Sequence, residues 1–172
     1  MGENENWFTF NPRRIKARLP DVDLHYRDEV GSTNDWARRV APRTDSSRIS
    51  LFVARRQMAG RGRGDHRWES SRGSLTFSVV TPLDRDFQDP TRSLYSLAAG
   101  CGVCDAMRQS GCDAWLKWPN DVICNEHKLA GILVESNGAD RLIVGCGINV
   151  NNDIASVAAA VSMREHRNRG FD

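Results

Sequence analysis

Apolar and polar residues alternate most cleanly in SLTFSVV, residues 74–80. Leu75, Phe77 and Val79 share one face there, and Thr76 and Ser78 share the other. Period-two alternation marks a strand with two different surfaces. Related patterns predict strands at residues 25–30, 51–54, 114–118, 121–125, 128–136 and 141–150. The period changes to that of a helix in two places. Trp36, Ala37 and Val40 give an apolar face to a helix beginning near Asn34, with Ser32 or Thr33 as its cap and Asp35 in its first turn. Leu94, Leu97, Ala98, Cys101 and Met107 recur at helical spacing through residues 91–110, and Gly111 stands where it can stop that helix. TPLDRDFQDP reads as a turn-rich connection, NEH as a turn and NGAD as a hairpin signal. Residues 155–172 read as a helix start with a polar end. Residues 1–23 read as a polar, arginine-rich lead-in to a domain spanning residues 24–172. Runs of strands with only two inserted helices predict an α+β fold: a mixed, mainly antiparallel sheet with helices packed on one face.

A length of 172 residues suits one domain with its own core. The net charge of +2 is too mild for a dedicated nucleic-acid binder. Basic charge is instead local, in Arg55, Arg56, Arg61, Arg63, Arg67 and Arg72, which points to a small anionic ligand. No stretch is apolar enough to span a membrane, and MGENENWFTF lacks the order of a signal peptide, so a cytoplasmic protein is expected. Five cysteines, an odd count, argue against a disulfide framework. The Cys101–Cys104 pair reads as two small residues on a buried helix face.

Four stretches carry candidate chemistry. In GRGRGDHRW, residues 60–68, glycines allow positive φ and close backbone approach, arginines can fork onto carboxylate or phosphate, and Trp68 can close over a flat group. A solvated surface loop is an equal reading of that string alone. In KWPND, residues 117–121, Pro119 forces a turn. Asp121 could hold Mg²⁺ and Lys117 could meet a phosphate, or the segment is an ordinary Asx turn. In KLAGILVE, residues 128–135, Lys128 is either a strand-edge charge or a cation aimed at a ligand, and Gly131 suggests close approach. GCGINVN, residues 145–151, adds two more strand glycines and Asn149.

Taken in order and spacing, these strings and the STN of residues 32–34 resemble the catalytic domain of the biotin protein ligase family, over residues 25 to about 168. The resemblance implies a two-step reaction. Biotin's carboxylate attacks the α-phosphorus of MgATP, and a lysine of a carrier protein then takes biotin from biotinoyl-5′-AMP. It implies biotin, ATP and Mg²⁺ as ligands. It also implies the biotin carboxyl carrier protein of acetyl-CoA carboxylase as partner, with neither DNA nor membrane and with a homodimer as one arrangement. Carried over residue by residue, it places Ser32, Thr33, Asn34, Gln57, Gly60, Arg61, Arg63, Trp68, Lys128, Gly131 and Gly147 around biotin. Arg63, Arg67, Trp68, Lys117, Asn120, Lys128 and Asn149 face the nucleotide, and Asp121 the metal. Lys128 and Arg63 are the expected catalytic cations. A loop that closes over the adenylate would exclude water from a hydrolysable anhydride.

The chain departs from the family pattern in two respects. The common loop form is GRGRRGRxW, and Gly64, Asp65 and His66 replace its Arg, Gly and Arg. The chain also stops at RNRGFD where relatives continue, and its lead-in is shorter than a DNA-binding domain, so a ligase catalytic domain without flanking domains is expected. Two alternatives share the pattern: a non-catalytic biotin- or nucleotide-binding module, and a lipoate or octanoate transferase of the same superfamily. An RNA-binding loop would want repeated RG units and exposed aromatics.

Overall fold

A computed structural model of the chain describes residues 11–45, 47–83, 92–137, 141–154 and 159–167, with Arg92, Ser93 and Arg167 in backbone only. Most of the 81–90 connection, part of the NGAD turn and much of 155–172 lie outside the described residues. Seven strands form one sheet: β1 (Asp23–Val30), β2 (Ser50–Gln57), β3 (Ser74–Pro82), β4 (Ala114–Lys117), β5 (Asp121–Cys124), β6 (His127–Ser136) and β7 (Arg141–Asn149). Their order across the sheet is β1-β2-β3-β7-β6-β5-β4. Only β1 and β2 run parallel. The mixed, mainly antiparallel α+β class is therefore as expected.

The helices divide the sheet. In register, Thr76, Ser78 and Val80 of β3 lie beside Gly147, Gly145 and Ile143 of β7, and these beside Gly131, Leu133 and Glu135 of β6. That face carries α2 (Thr33–Val40), the crossover between the parallel strands. The other face presents Leu75, Phe77, Cys146, Ile148, Ala130 and Ile132 to α3 (Arg92–Gln109). So the long helix occupies the oily face, where Met163 also packs, and α2 lies opposite it rather than alongside.

A second correction concerns which side of α3 is buried. Leu94 and Cys101 are exposed, and the inward side is Gly100, Val103, Cys104 and Met107. The cause is at Gly100, where an added Cβ would overlap Leu116. The helix comes closest to the sheet there, and this contact outweighs the periodicity of Leu94, Ala98 and Cys101. Burial also pushes the Cys104 thiol pKa up, so the cysteine pair divides into one outward and one core residue.

Local signals explain most boundaries. Ser32 caps α2, its Oγ accepting from Asp35 N at 3.4 Å. Asn125 and Glu126 both take positive φ, 49° and 63°, as a two-residue hairpin between β5 and β6 requires. Gly111 ends α3 at φ 84°. The lead-in contains a helix that the hydrophobic pattern does not announce, α1 (Pro12–Arg18). It buries no residue and rests on its cap: Asn11 accepts from Arg13 N and Arg14 N, and Pro12 opens the first turn. Near the other end, Ser162 and Glu165 form a reciprocal capping box at α4 (Met163–Arg167). Among the described residues no helix is long and apolar enough to cross a membrane.

Candidate functional site

The site is built on the face that α2 covers. Capping by Ser32 fixes the first turn of α2 so that Thr33 and Asn34, both buried, meet the sheet. Thr33 donates from its N and Oγ1 to Gln57 Oε1 at 2.7 and 2.9 Å. Ser78 Oγ donates to Asn34 Oδ1 at 2.6 Å. The Asn34 amide nitrogen donates to Leu133 O at 3.2 Å and to Glu135 Oε2 at 2.7 Å. Gly145 has no room for a side chain because the Asn34 amide lies against it. These bonds use the Gln57 oxygen and leave its NH₂ group as a donor for a ligand.

The glycine–arginine segment is a small ribbon. Trp68 N donates to Gly60 O at 3.1 Å and Gly62 N to His66 O at 2.8 Å, with Gly64 turning the tip at φ 62°. Arg61 roots the ribbon, bonding Asp35 at 2.8 Å and Glu135 at 2.7 Å. Arg38 joins Glu135 at 2.9 Å. Burial alone would raise the Glu135 pKa, but hydrogen bonds from Arg61, Asn34 and Arg38 outweigh it and hold the carboxyl below its usual value. Hydrogen bonding to Glu135 likewise raises the Arg61 pKa. Arg63, Asp65, His66 and Arg67 beyond this root are exposed and line the cleft mouth.

Trp68 closes the ribbon differently from a lid over open space. Its indole lies on Gly147, where an added Cβ would overlap the ring, and near Gly131, where an added Cβ would stand 3.3 Å from the ring edge. Its Nε1 is buried and has no hydrogen-bond partner among the described residues. Lys128 Nζ sits 6.0 Å from the ring centroid. Along β7, therefore, the Asn34 amide covers Gly145, the Trp68 indole covers Gly147, and Lys128 lies beside Gly131, the partner of Gly147.

Lys128 Nζ pairs with Asp121 Oδ1 at 2.7 Å. A register shift sets its direction. Val122 pairs with Ala130, but Ile123 pairs with Lys128, so Leu129 is skipped. Leu129 and Ala130 are both fully buried in the α3 core, and Lys128 comes round to the face of Gly131. The KWPND corner contains a cis Trp118–Pro119 peptide. It is tied to β6 through Asn120, whose O accepts from Ile132 N and whose Nδ2 donates to Ile132 O, both at 2.9 Å.

A cleft of about 650 Å³ results, within the range of small-molecule sites. Ser32, Thr33, Asn34, Gln57, Arg61, Arg63, Arg67, Trp68, Asn120, Asp121, Lys128, Gly131 and Gly147 line it. Three expected site residues stand outside that lining. Gly60 packs under the Trp68 carbonyl. Lys117 is exposed on β4. Asn149 is buried, donating to Lys128 O at 3.4 Å and accepting from Asn152 Nδ2 at 3.0 Å. Sequence reasoning gave no place in the site to Asp35, read only as a first-turn acid of its helix, or to Arg38, Ser78 or Glu135. The signal for Glu135 was its place as the closing acid of the matched KLAGILVE string, on the strand face of Gly131 and Leu133.

A model of the biotin/lipoate A/B protein ligase family matches residues 30–151. The chain is 38% identical over 147 residues to the bifunctional ligase/repressor BirA of Escherichia coli, covering 81% of this chain and 44% of that protein. It is 37% identical over 129 residues to a biotin–[acetyl-CoA-carboxylase] ligase of Mycobacterium tuberculosis, covering 71% and 47%. The chain thus spans less than half the length of these relatives. Among solved structures it is similar to a biotin protein ligase from Aquifex aeolicus in complex with biotin and ATP. The TM-score is 0.73 at 32% identity, over 87% of this chain and 63% of that one.

Proposed function

The chain belongs to the biotin/lipoate A/B protein ligase family, and on that premise we propose that it activates biotin as biotinoyl-5′-AMP beneath the glycine–arginine ribbon and passes it to a carrier lysine. One observation carries the reading: a single cleft joins the neutral hydrogen-bonding group of Ser32, Thr33, Asn34 and Gln57 to the cations Arg63, Arg67 and Lys128. A ureido ring needs the first group. Two reacting anions need the second.

In the first step an oxygen of the biotin carboxylate bonds to the α-phosphorus of ATP, and the bond to pyrophosphate breaks. Negative charge gathers on the phosphorus oxygens, and Lys128 is the cation that meets it. Arg63 at the ribbon tip holds the adenylate in place, and Trp68 supplies an apolar wall that keeps water away. Arg67 and Asn120 face the nucleotide. In the second step the carrier's amine bonds to the acyl carbon, AMP leaves, and the amine gives up its proton.

Before substrate binds, Asp121 neutralises Lys128. An anionic substrate would take its place, and Asp121 is then the residue that would hold the magnesium of MgATP, which would offset phosphate charge. One carboxylate suits a nucleotide-bound Mg²⁺, which keeps phosphate and water ligands. Among the described residues no group of three His, Cys, Asp or Glu could hold a resident metal.

The carrier we propose is the biotin carboxyl carrier protein of acetyl-CoA carboxylase, in keeping with the name of the Mycobacterium relative. Five free cysteines accord with a reducing cytoplasm. The two sheet edges, β1 and β4, are the surfaces through which a second copy would extend the sheet, and sedimentation velocity tests this. The experiment for the activity is ATP–pyrophosphate exchange on this chain with biotin, lipoate or octanoate. Exchange with biotin alone is expected. Biotin binding without exchange would leave a binding module, and exchange with lipoate or octanoate would move the chain to the other branch of the family.

A further inference from the structure

We propose that Ser78 is a positioning residue: its buried hydroxyl holds the first turn of α2 so that the Thr33–Gln57 pair, which serves the ureido ring, and the root of the glycine–arginine ribbon act as one unit. The inference rests on the biotin reading above. The helix itself holds that turn weakly. Its capping bond, from Asp35 N to Ser32 Oγ, is long at 3.4 Å, and amides in a first turn have no intrahelical acceptor. Side chains must supply what the helix does not. Ser78 stands under the turn on β3, fully buried, in register with Phe52 of β2 and Gly145 of β7. Val80, the next residue on its face, belongs with Phe52 to the apolar cluster beneath α2. An alanine would pack there with no polar atom to desolvate, so the hydroxyl is explained by its bonds and not by its volume.

Ser78 Oγ lies 2.8 Å from Thr33 Oγ1 and 2.6 Å from Asn34 Oδ1. Thr33 leads on to Gln57 Oε1, through its N at 2.7 Å and its hydroxyl at 2.9 Å. Asn34 leads through its amide nitrogen to Glu135 Oε2 at 2.7 Å, the oxygen that Arg61 NH2 also meets at 2.7 Å. One hydroxyl is thus the junction of two chains. One ends at the donor that faces the ligand's ring, the other at the root of the ribbon. The proton count ties them together. Three contacts lie between the acceptor oxygens of Gln57 and Asn34, and the two hydroxyls bring two protons. A proton that Ser78 gives to Asn34 is withheld from Thr33, so these contacts depend on one another and do not act as separate bonds. Ser78 does not line the cleft. Among the described residues its hydroxyl bonds these two side chains only. It therefore reaches biotin through Thr33 and Asn34, and stands apart from Arg63, Arg67 and Lys128 at the phosphate end.

The test measures Ser78→Ala beside the parent chain, with folding checked by circular dichroism and thermal melting. Ser78→Cys keeps a weak donor at nearly the same size and takes its place should the alanine variant not fold. In biotin-dependent pyrophosphate exchange, KM for biotin is expected to rise about tenfold, the effect of leaving a buried acceptor unpaired, with kcat and KM for ATP within about twofold of the parent. Thr33→Val removes a hydroxyl and keeps the shape. The double variant Ser78→Ala/Thr33→Val should lose no more than the worse single, since both act on one chain of bonds. An equal rise in KM for ATP, which general loosening of the fold would produce, overturns the proposal. So do an unchanged KM for biotin and losses that multiply in full in the double variant. A second readout needs no activity: amide hydrogen–deuterium exchange of the ligand-free protein, followed by mass spectrometry. Residues 33–36 and the ribbon amides of Gly62 and Trp68 should exchange several-fold faster in the variant, with α3 unchanged. An unchanged rate in either segment, or a rise that includes α3, also overturns it. If the parent chain shows no pyrophosphate exchange with biotin, the adenylation reading fails by itself and the deuterium rates still decide the positioning role.

Discussion

Arg61 meets Glu135 fork to fork, NH1 to Oε1 at 3.0 Å and NH2 to Oε2 at 2.7 Å. The pair joins the root of the glycine–arginine ribbon to the strand that ends the KLAGILVE run. It also ties in α2, because Glu135 accepts from Asn34 and Arg38 and Arg61 donates to Asp35. Three segments distant in sequence thus share one carboxylate.

Replacing that carboxylate should cost stability in a pH-dependent way. Glu135 has a folded pKa below its reference value of 4.5. A depressed acid stabilises the fold above its unfolded pKa and loses the effect as pH falls through the folded one. Glu135→Gln should therefore be less stable than the parent by about 1–2 kcal/mol at pH 7, between the values for exposed and buried pairs. The gap should close below pH 4.5. Urea unfolding from pH 3 to 7 measures it, and a pH-independent gap would remove the charge from the explanation.

Lys128→Ala should reduce biotin-dependent pyrophosphate exchange about 10²–10³-fold, the usual size of a lost charge-stabilising group. Biotin affinity by calorimetry should stay within about threefold, because the ureido contacts proposed above lie at Gln57 and α2. Near-parent exchange would place the reaction's charge elsewhere.

Arg63→Ala should shorten retention of the adenylate. Arg63 stands at the exposed tip, outside the anchored root at Arg61. Biotinoyl-AMP chased from the variant should leave several-fold faster, with the fold's melting temperature unchanged.

Gly147→Ala adds a methyl group where the Trp68 indole lies. The ring must shift, so its buried Nε1 gains solvent and tryptophan emission moves to the red. The same shift should be absent in Trp68→Phe/Gly147→Ala. An unchanged spectrum in the single variant would mean the ring does not rest on Gly147.

The strands were legible because each alternates or is bounded by a turn with a chemical cause, as at Asn125–Glu126. The buried side of α3 was not, because a single close approach at Gly100 decided it and glycine carries no weight in an apolar periodicity. The placement of α2 opposite α3 depends on strand order, which no local pattern encodes. Within the site, the motif residues gather much as their order implied. What escaped was the set of supports: Glu135 inside a matched string, and Asp35 and Arg38 on a helix whose apolar face is its visible signal. A carboxylate that works by receiving hydrogen bonds from distant segments looks like any surface acid until those segments are placed. Of the two readings open for Lys128, the structure takes the cation that faces the cleft. Its aim comes from a skipped residue, and alternation counted from Gly131 would have sent it to the core.

The ribbon of residues 60–68 has its backbone paired before any ligand arrives, at Gly60 with Trp68 and at Gly62 with His66. Fixing a residue's backbone costs about 1–2 kcal/mol of conformational entropy. For these positions that term is met by folding and not by binding. A ligand meeting this ribbon would meet a formed hairpin, turned at Gly64 with φ 62° and tied by His66 N to Arg63 O.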